Sequence, residues 1–525
     1  MLKLNEEEIK NAAEWTEKGY TLPAFDREKM IVRTAESPRW VHFGAGNIFR
    51  AFQCAAAQKL LETGEMDTGI IAVEGYDYEI IEKGYWPCDN YTLLVTLKAD
   101  GSVGKTVIGS IAESRILDSD NEKEYSRLKE IFANPSLQMV SFTITEKGYA
   151  VTPAVEADFA NGPEHPQSYI GKVASLLYAR YRAGSLPVAM VSMDNCSHNG
   201  DKLRAAIMAF ADGWQDAGFK AYVTGGKVSF PWTMIDKITP RPDATVEEML
   251  RKDGLDGLDP VITSKHTYIA PFVNAEESEY LVVEDDFPNG RPALEGAGII
   301  LTDRETVNKV ERMKVCTCLN PLHTALAVTG CLLGYTRISA EMKDEDLVKL
   351  VRTIGYTEGL PVVTDPGVIN PKEFIDTVVN VRLPNPFMPD TPQRIACDTS
   401  QKIPIRFGET IKAYMADPAL DASSLMAIPL AIAAWLRYLL GVDDDGKAME
   451  VSPDPMLTDM QSALSGVTLG DPDSESGKLD TILTRADLFG VSLKDAGLAD
   501  KVEGFFREML AGPGAVRAAL KAHLN

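Results

Sequence analysis

Histidine and cysteine are scarce in this 525-residue chain, which has six His and seven Cys. The cysteines (Cys54, Cys88, Cys196, Cys316, Cys318, Cys331 and Cys397) are odd in number and dispersed. They form no disulfide framework and read as the reduced thiols of a cytoplasmic protein. Long apolar runs are also missing. The longest clean one, LMAIPLAIAAWL from Leu425 to Leu436, falls short of the ~18–20 residues that span a bilayer and carries Pro429, so it reads as a buried helix. The N-terminal MLKLNEEEIKNAAEW lacks the apolar stretch of a signal peptide. Positive charge never clusters: no run of Lys or Arg exceeds two, and 53 Lys+Arg against 76 Asp+Glu leave a formal charge of -23. That balance disfavours nucleic acid and anionic membranes as partners, but not a small anion held by one or two buried cations. Neither a Gly-x-Ser-x-Gly elbow nor a Walker loop occurs, which weakens hydrolase and phosphotransferase readings. Cys316, Cys318 and His323 do not complete the four-ligand set of structural zinc, so no metal is expected.

What is present divides the chain. The first half alternates short β-rich runs with charged helical stretches: IVRTA, RWVHFGAG, TGIIAVEG, LLVTL, LQMVSFTI, PVAMVSMD and KVSFPWTMI. That alternation predicts an α/β fold with a parallel, doubly wound sheet. The second half reads as helices, for example EDLVKLVRTIGYTEGL and KVEGFFREMLAGPGAVRAALKAHLN. The Pro-, Gly- and acid-rich EDDFPNGRPALEGAG marks the boundary, so two domains are expected at 1–294 and 295–525.

Chemistry-bearing residues concentrate in four places. RWVHFGAGNIFR is an apolar run followed by Gly44-Ala45-Gly46, the strand-loop-helix pattern that brings backbone close to a pyrophosphate at a helix N-terminus, although Phe49 stands where a third glycine is usual. Asn47 and Phe49 belong to the same candidate cofactor segment. The following strand, GIIAVE, ends in Glu74, whose carboxylate is placed to bind the ribose hydroxyls of NAD and repel a 2'-phosphate. A chance strand-end turn gives the same glycine pattern. In VAMVSMDNCSHNG, Asp194 and Asn195 directly follow a strand and face either a ligand crevice or the cap of the next helix.

ERMKVCTCLNPLHTALAVTGCLLGY contains Glu311, Lys314, Asn320 and His323 ahead of an apolar stretch. A lysine tuned towards neutrality by burial can take a proton from an alcohol, and Asn side chains can donate to the developing alkoxide. A snorkelling lysine and a core histidine give the same pattern. VRLPNPFMPDTPQRIACDTSQKIPIR brings Arg382, Lys402 and Arg406, a cationic set for a carboxylate-bearing or oxygen-rich substrate, or solvated surface charge.

Seven collinear blocks carry a resemblance over nearly the whole chain: VHFGAGNIFRAFQ, TITEKGY, SMDNCSHNG, FPWTMIDKITP, VVEDDFPNGRP, ERMKVCTCLNPLHTAL, and RLPNPF followed by ACDTSQKIPIR. The chain resembles the polyol-specific long-chain dehydrogenases, the mannitol dehydrogenase family, which includes uronate reductases. The FPWTMIDKITP block is similar to the family signature, with Lys237 in place of the usual arginine. The resemblance implies a Rossmann-like NAD domain followed by a mostly helical substrate domain, with no metal. It implies NAD at Gly44, Gly46 and the Glu74 strand end, Lys314 as general base, and Asn195 and Asn320 as alkoxide donors. His323 and Arg382 would contact substrate, and Glu311 would serve a proton relay. The VVEDDFPNGRP and SQKIPIR segments look closest to the uronate reductase branch (fructuronate reductase, mannonate oxidoreductase), with mannitol 2-dehydrogenase as the alternative. A rival class is a sugar epimerase that retains NAD, and another is a nucleotide-binding regulatory protein with a dead site. The expected partner is a small sugar acid or polyol, and the chain is expected to act as a monomer or small homo-oligomer.

One departure makes a structural prediction. The family spacing is Lys-x4-Asn-x2-His, but five residues separate Lys314 from Asn320. On a regular helix, nine steps from Lys314 to His323 put the two about 180° apart, and eight steps leave about 80°. The helix should therefore be bulged or broken between them, with Pro321 removing one helical hydrogen bond.

Overall fold

The computed structural model describes residues 2–241 and 244–524. Contacts divide them into two compact units, one comprising Met1–Lys98 and Ser102–Asn308, the other Ala99–Gly101 and Lys309–Asn525.

The first unit is built on six strands: β1 (Trp40–Phe43), β2 (Ile70–Glu74), β3 (Ile111–Ile116), β4 (Met139–Phe142), β5 (Val188–Ser192) and β6 (Val228–Ser229). They pair in the order β3-β2-β1-β4-β5-β6, and every neighbouring pair is parallel. This is the strand order of the doubly wound dinucleotide-binding fold, in which ligands meet the carboxyl ends of the strands. Strand periodicity explains how both faces are covered. Trp40, Ile70, Ala72, Met139, Ala189 and Val191 enter one apolar cluster with helix α1 (Cys54–Thr63). Their alternates Val41, Phe43, Ile71, Val73, Val140, Val188 and Met190 enter a second cluster with helices α2 (Glu122–Ala133), α3 (Tyr169–Arg182) and α4 (Asn199–Gly213). A sheet buried on both faces needs near-continuous apolar strands, which is how these runs read.

Two expectations need correction. The IVRTA run at 31–35 is not a strand; it lies in the helix Arg27–Glu36, started by Asp26, whose side chain accepts from the Lys29 N–H. An N-cap acid three residues ahead of Lys29 outweighs a short β-branched run. The first unit also continues past 294, because Ile300–Thr302 pairs in parallel with Tyr280–Glu284 and so completes a sheet begun earlier in the chain. A Pro- and Gly-rich stretch marks a loop, but strand pairing decides where the unit ends.

The second unit is helical, with only two isolated bridges among its described residues. At its centre lie α5 (Asn320–Leu332), buried along almost its whole length, and α7 (Ala427–Tyr438), with every residue buried. Between them in sequence comes α6 (Thr399–Arg406). The helical run Arg304–Leu332 is long and apolar enough to cross a membrane, but 83% of its apolar window is buried inside the protein, as in a core helix.

Candidate functional site

The glycine loop after β1 is fixed by close approach. Gly44 has φ +104, and a Cβ there would lie 2.2 Å from the Thr143 carbonyl oxygen, so no other residue fits. A Cβ on Gly46 would meet nothing within 4 Å. Its backbone faces open space, which fits the close approach of a dinucleotide pyrophosphate to the loop and the helix behind it. The loop is braced from behind, since the Ala45 carbonyl accepts from Tyr85 Oη at 2.9 Å and the Gly44 N–H donates to Val73 O at 2.9 Å.

Asn47 is tied down by its own helix, its Oδ1 accepting from Arg50 Nη2 at 2.9 Å. Arg50 is buried and also donates to Ala270 O at 2.7 Å; burial pulls its pKa below the usual arginine value. Phe49 is a correction. Its ring is fully buried and stacks on His42 with centroids 4.1 Å apart, so it packs under the loop and offers a cofactor no side-chain face. His42 itself was not singled out from sequence. Its ring nitrogens lie 2.7 Å from Ser141 Oγ and 2.9 Å from Thr143 Oγ1, and burial lowers its pKa to about 3, keeping it neutral. The available signal was its place on β1, in step with the inward-facing Trp40.

Glu74 is the main correction. Its Oε2 accepts from the Ala45 N–H at 3.0 Å, and its Oε1 from the N–H groups of Gly75 (3.0 Å), Tyr76 (2.8 Å) and Asp77 (3.2 Å). Three N–H groups crowd onto Oε1 and one binds Oε2, so most of the carboxylate's acceptor capacity is used inside the protein. Glu74 therefore staples the glycine loop to the turn leaving β2, and only Oε2, with a single donor, has acceptor capacity left for a ribose hydroxyl. Its burial raises its pKa, against the pull of those four donors. Asp194 is diverted in the same way, accepting from the N–H groups of Ile144 (3.0 Å) and Thr145 (2.8 Å) and from Tyr149 Oη (2.5 Å). Its neighbour Asn195 is exposed and lines a pocket of about 380 Å³ together with Thr145, Met193, Asp236 and Lys237. The FPWTMIDKITP block thus shares a pocket with Asn195. The sequence marks that block as a signature but gives no sign that Asp236 lines a pocket.

In the second unit the helix is remodelled where the spacing required it. Met313–Cys318 is π-helical, the Leu319 N–H donates to Lys314 O at 3.1 Å, and Leu319 has φ -130 and ψ -59 before α5 restarts at Asn320 with Pro321 in its first turn. A π turn absorbs one residue, so the nine steps from Lys314 to His323 behave as eight and leave the two about 80° apart. Five segments among the described residues are π-helical, and three of them carry candidate residues: Phe49–Gln53, Met313–Cys318 and Val378–Arg382. Such bulges cost backbone hydrogen bonding and recur at functional sites. Lys314 is 3% exposed and Arg382 7%, while Glu311, Asn320 and His323 are partly exposed.

The other two expected cations, Lys402 and Arg406, differ in how they are held. Lys402 Nζ donates to the carbonyls of Ile395 (2.9 Å) and Cys397 (2.5 Å), closing its own chain segment, which corrects its assignment to substrate. Arg406 braces the start of α5, donating to Thr324 Oγ1 at 2.7 Å and Asn320 O at 3.4 Å. Among the described residues it has no acidic partner, and burial lowers its pKa to about 10.

Comparison with known proteins places both halves of the chain in one family. Residues 38–296 match the mannitol dehydrogenase Rossmann domain, and residues 306–509 match the mannitol dehydrogenase C-terminal domain. A Thermotoga maritima protein named D-mannonate oxidoreductase is 52% identical over 99% of this chain and 98% of its own. A protein of the same name from Escherichia coli K12 is 29% identical over 84% of this chain and 86% of its own. Among solved structures, Pseudomonas fluorescens mannitol 2-dehydrogenase, in a ternary complex with NAD and D-mannitol, superimposes with a TM-score of 0.70 at 27% identity over 99% of both chains.

Proposed function

We infer, from the premise that the chain belongs to the mannitol dehydrogenase family, that it is an NAD-dependent oxidoreductase interconverting a sugar acid with its keto form, D-mannonate and D-fructuronate before neutral polyols. The observation that carries this reading is the 52% identity, over practically the whole length of both chains, to a protein named D-mannonate oxidoreductase.

Gly44, Gly46 and the helix behind them would hold the pyrophosphate, and when bound NAD supplies the hydride acceptor. The chain's own residues handle the proton and the oxygen. Lys314, as the neutral amine, takes the hydroxyl proton of the substrate, and Glu311 relays it outward. Asn320 at the first turn of α5 donates a side-chain N–H to the alkoxide oxygen, whose charge builds as the proton leaves and fades as the hydride departs. His323 and Arg382 orient the substrate. Arg406 supports the acid over the polyol, because a cation removed from water without a counter-ion gains from a substrate carboxylate.

The test is a spectrophotometric screen of mannonate, altronate, mannitol and arabinitol with NAD. The reading expects mannonate to be oxidised with the highest kcat/KM. Oxidation of neutral polyols alone would overturn it, as would no change at 340 nm in an enzyme that keeps its cofactor through desalting.

A further inference from the structure

In the doubly wound fold the ribose of the adenosine half lies at the carboxyl end of β2, where an acidic side chain reads the 2'-hydroxyl and repels a 2'-phosphate. Here that carboxylate belongs to Glu74, which is buried and turned inward, accepting from four backbone N–H groups, three on Oε1 and one on Oε2. What the strand end presents outward is different. Tyr76, two residues on, is 64% exposed, and Lys265 Nζ lies 4.5 Å from the centroid of its ring.

Lys265 comes from a distant part of the sequence. It sits at the tip of the hairpin formed by Val261–Ile262 and Tyr268–Ile269, and that tip is fastened to the turn leaving β2. Thr263 Oγ1 donates to Asp77 Oδ2 at 2.6 Å, the Ser264 N–H donates to Glu79 Oε1 at 3.2 Å, and Lys265 Nζ donates to the Tyr76 carbonyl oxygen. The hairpin therefore holds an exposed ammonium beside an exposed ring at the strand end. The two acids of the turn itself already have partners: Asp77 is buried against Thr263, and Glu79 pairs with Lys83. Lys265 has no acidic partner among the described residues; its contacts are a carbonyl and a ring face.

We propose that Lys265, with Tyr76 beneath it, is the specificity-determining residue for the adenosine end of the cofactor, and that it admits a 2'-phosphorylated dinucleotide, NADP, alongside NAD. The proposal rests on the reading that the Gly44–Gly46 loop holds a dinucleotide. The Tyr76 ring provides a flat apolar face for an aromatic base, and the lysine exchanges its carbonyl for a phosphate oxygen, a stronger charge-assisted bond.

Calorimetric titration of the full chain with 5'-AMP and with adenosine 2',5'-bisphosphate separates the two ideas. The proposal expects the bisphosphate to bind within about tenfold of 5'-AMP. Lys265→Ala should weaken the bisphosphate about tenfold, the worth of one charge-assisted hydrogen bond, while moving 5'-AMP less than about twofold, and Lys265→Arg should restore the bisphosphate. The ratio of kcat/KM with NADPH to that with NADH should fall in step in Lys265→Ala. Bisphosphate binding more than about a hundredfold weaker than 5'-AMP in the unaltered protein would overturn the proposal and leave the dinucleotide reading standing. Equal weakening of both ligands in Lys265→Ala would reduce Lys265 to a hairpin fastener. Absence of 5'-AMP binding altogether would overturn both ideas.

Discussion

Glu341 should make the protein less stable as pH rises, and replacing it should remove that dependence. Its side chain is fully buried beside α5, close enough that a Cβ on Gly330 would fall 2.0 Å from Oε1. Neither carboxyl oxygen has a hydrogen-bond partner. Burial, with a smaller contribution from Asp344, raises its pKa to about 9. The folded state therefore prefers the protonated acid, whereas the unfolded chain ionises near pH 4.3. For an acid with a raised folded pKa, stability is highest below the unfolded value and falls as pH rises until the folded pKa is passed. Each pH unit in that window costs about 1.4 kcal/mol, so up to about 5 kcal/mol is lost between pH 4.3 and 8. Glu341→Gln keeps the shape and cannot ionise. Urea denaturation of both proteins at several pH values from 5 to 8.5 should show a gap of about 1 kcal/mol at the acid end that widens in favour of the glutamine variant by about 1.4 kcal/mol per pH unit. Parallel curves would mean that the carboxyl titrates alike in the folded and unfolded protein, as it would if water or a partner solvated it in the folded state, and that result refutes the reasoning.

Removing the proton acceptor with Lys314→Ala should lower kcat about 10²–10⁴-fold while leaving cofactor binding, followed by NADH fluorescence, near the starting value. Gly44→Ala places a Cβ 2.2 Å from Thr143 O at φ +104 and should lower the melting temperature, whereas Gly46→Ala meets nothing and should leave it unchanged while weakening cofactor binding. Glu74→Ala strands four backbone N–H groups; at about 1–3 kcal/mol for each that stays dry, a loss of several kcal/mol in thermal or urea unfolding is expected. Arg406→Met should reduce kcat/KM for a sugar acid about tenfold or more and a neutral polyol much less; equal losses would reduce its role to bracing α5.

Much of the fold was legible because strand burial is written locally. The runs ending in Phe43, Glu74, Phe142 and Ser192 are apolar on both parities, and a sheet covered on both faces demands that of its strands. The run at 31–35 misled because β-branched residues are tolerated in a helix once an acid caps it. The site was legible where counting sufficed. One residue too many between Lys314 and Asn320 required a bulge, and the π turn Met313–Cys318 supplies it.

By itself, then, the sequence determined the doubly wound sheet, the helical second half, the glycine loop and the irregular helix, since each follows from periodicity, register or the conformational demands of single residues. Only the tertiary structure decided what the polar side chains do. Glu74 and Asp194 bond to backbone N–H groups and Lys402 to carbonyls, while Lys265 arrives at the end of β2 from nearly two hundred residues away. A hydrogen bond depends on which group lies within about 3 Å, and chain folding brings together residues that their sequence neighbours do not specify.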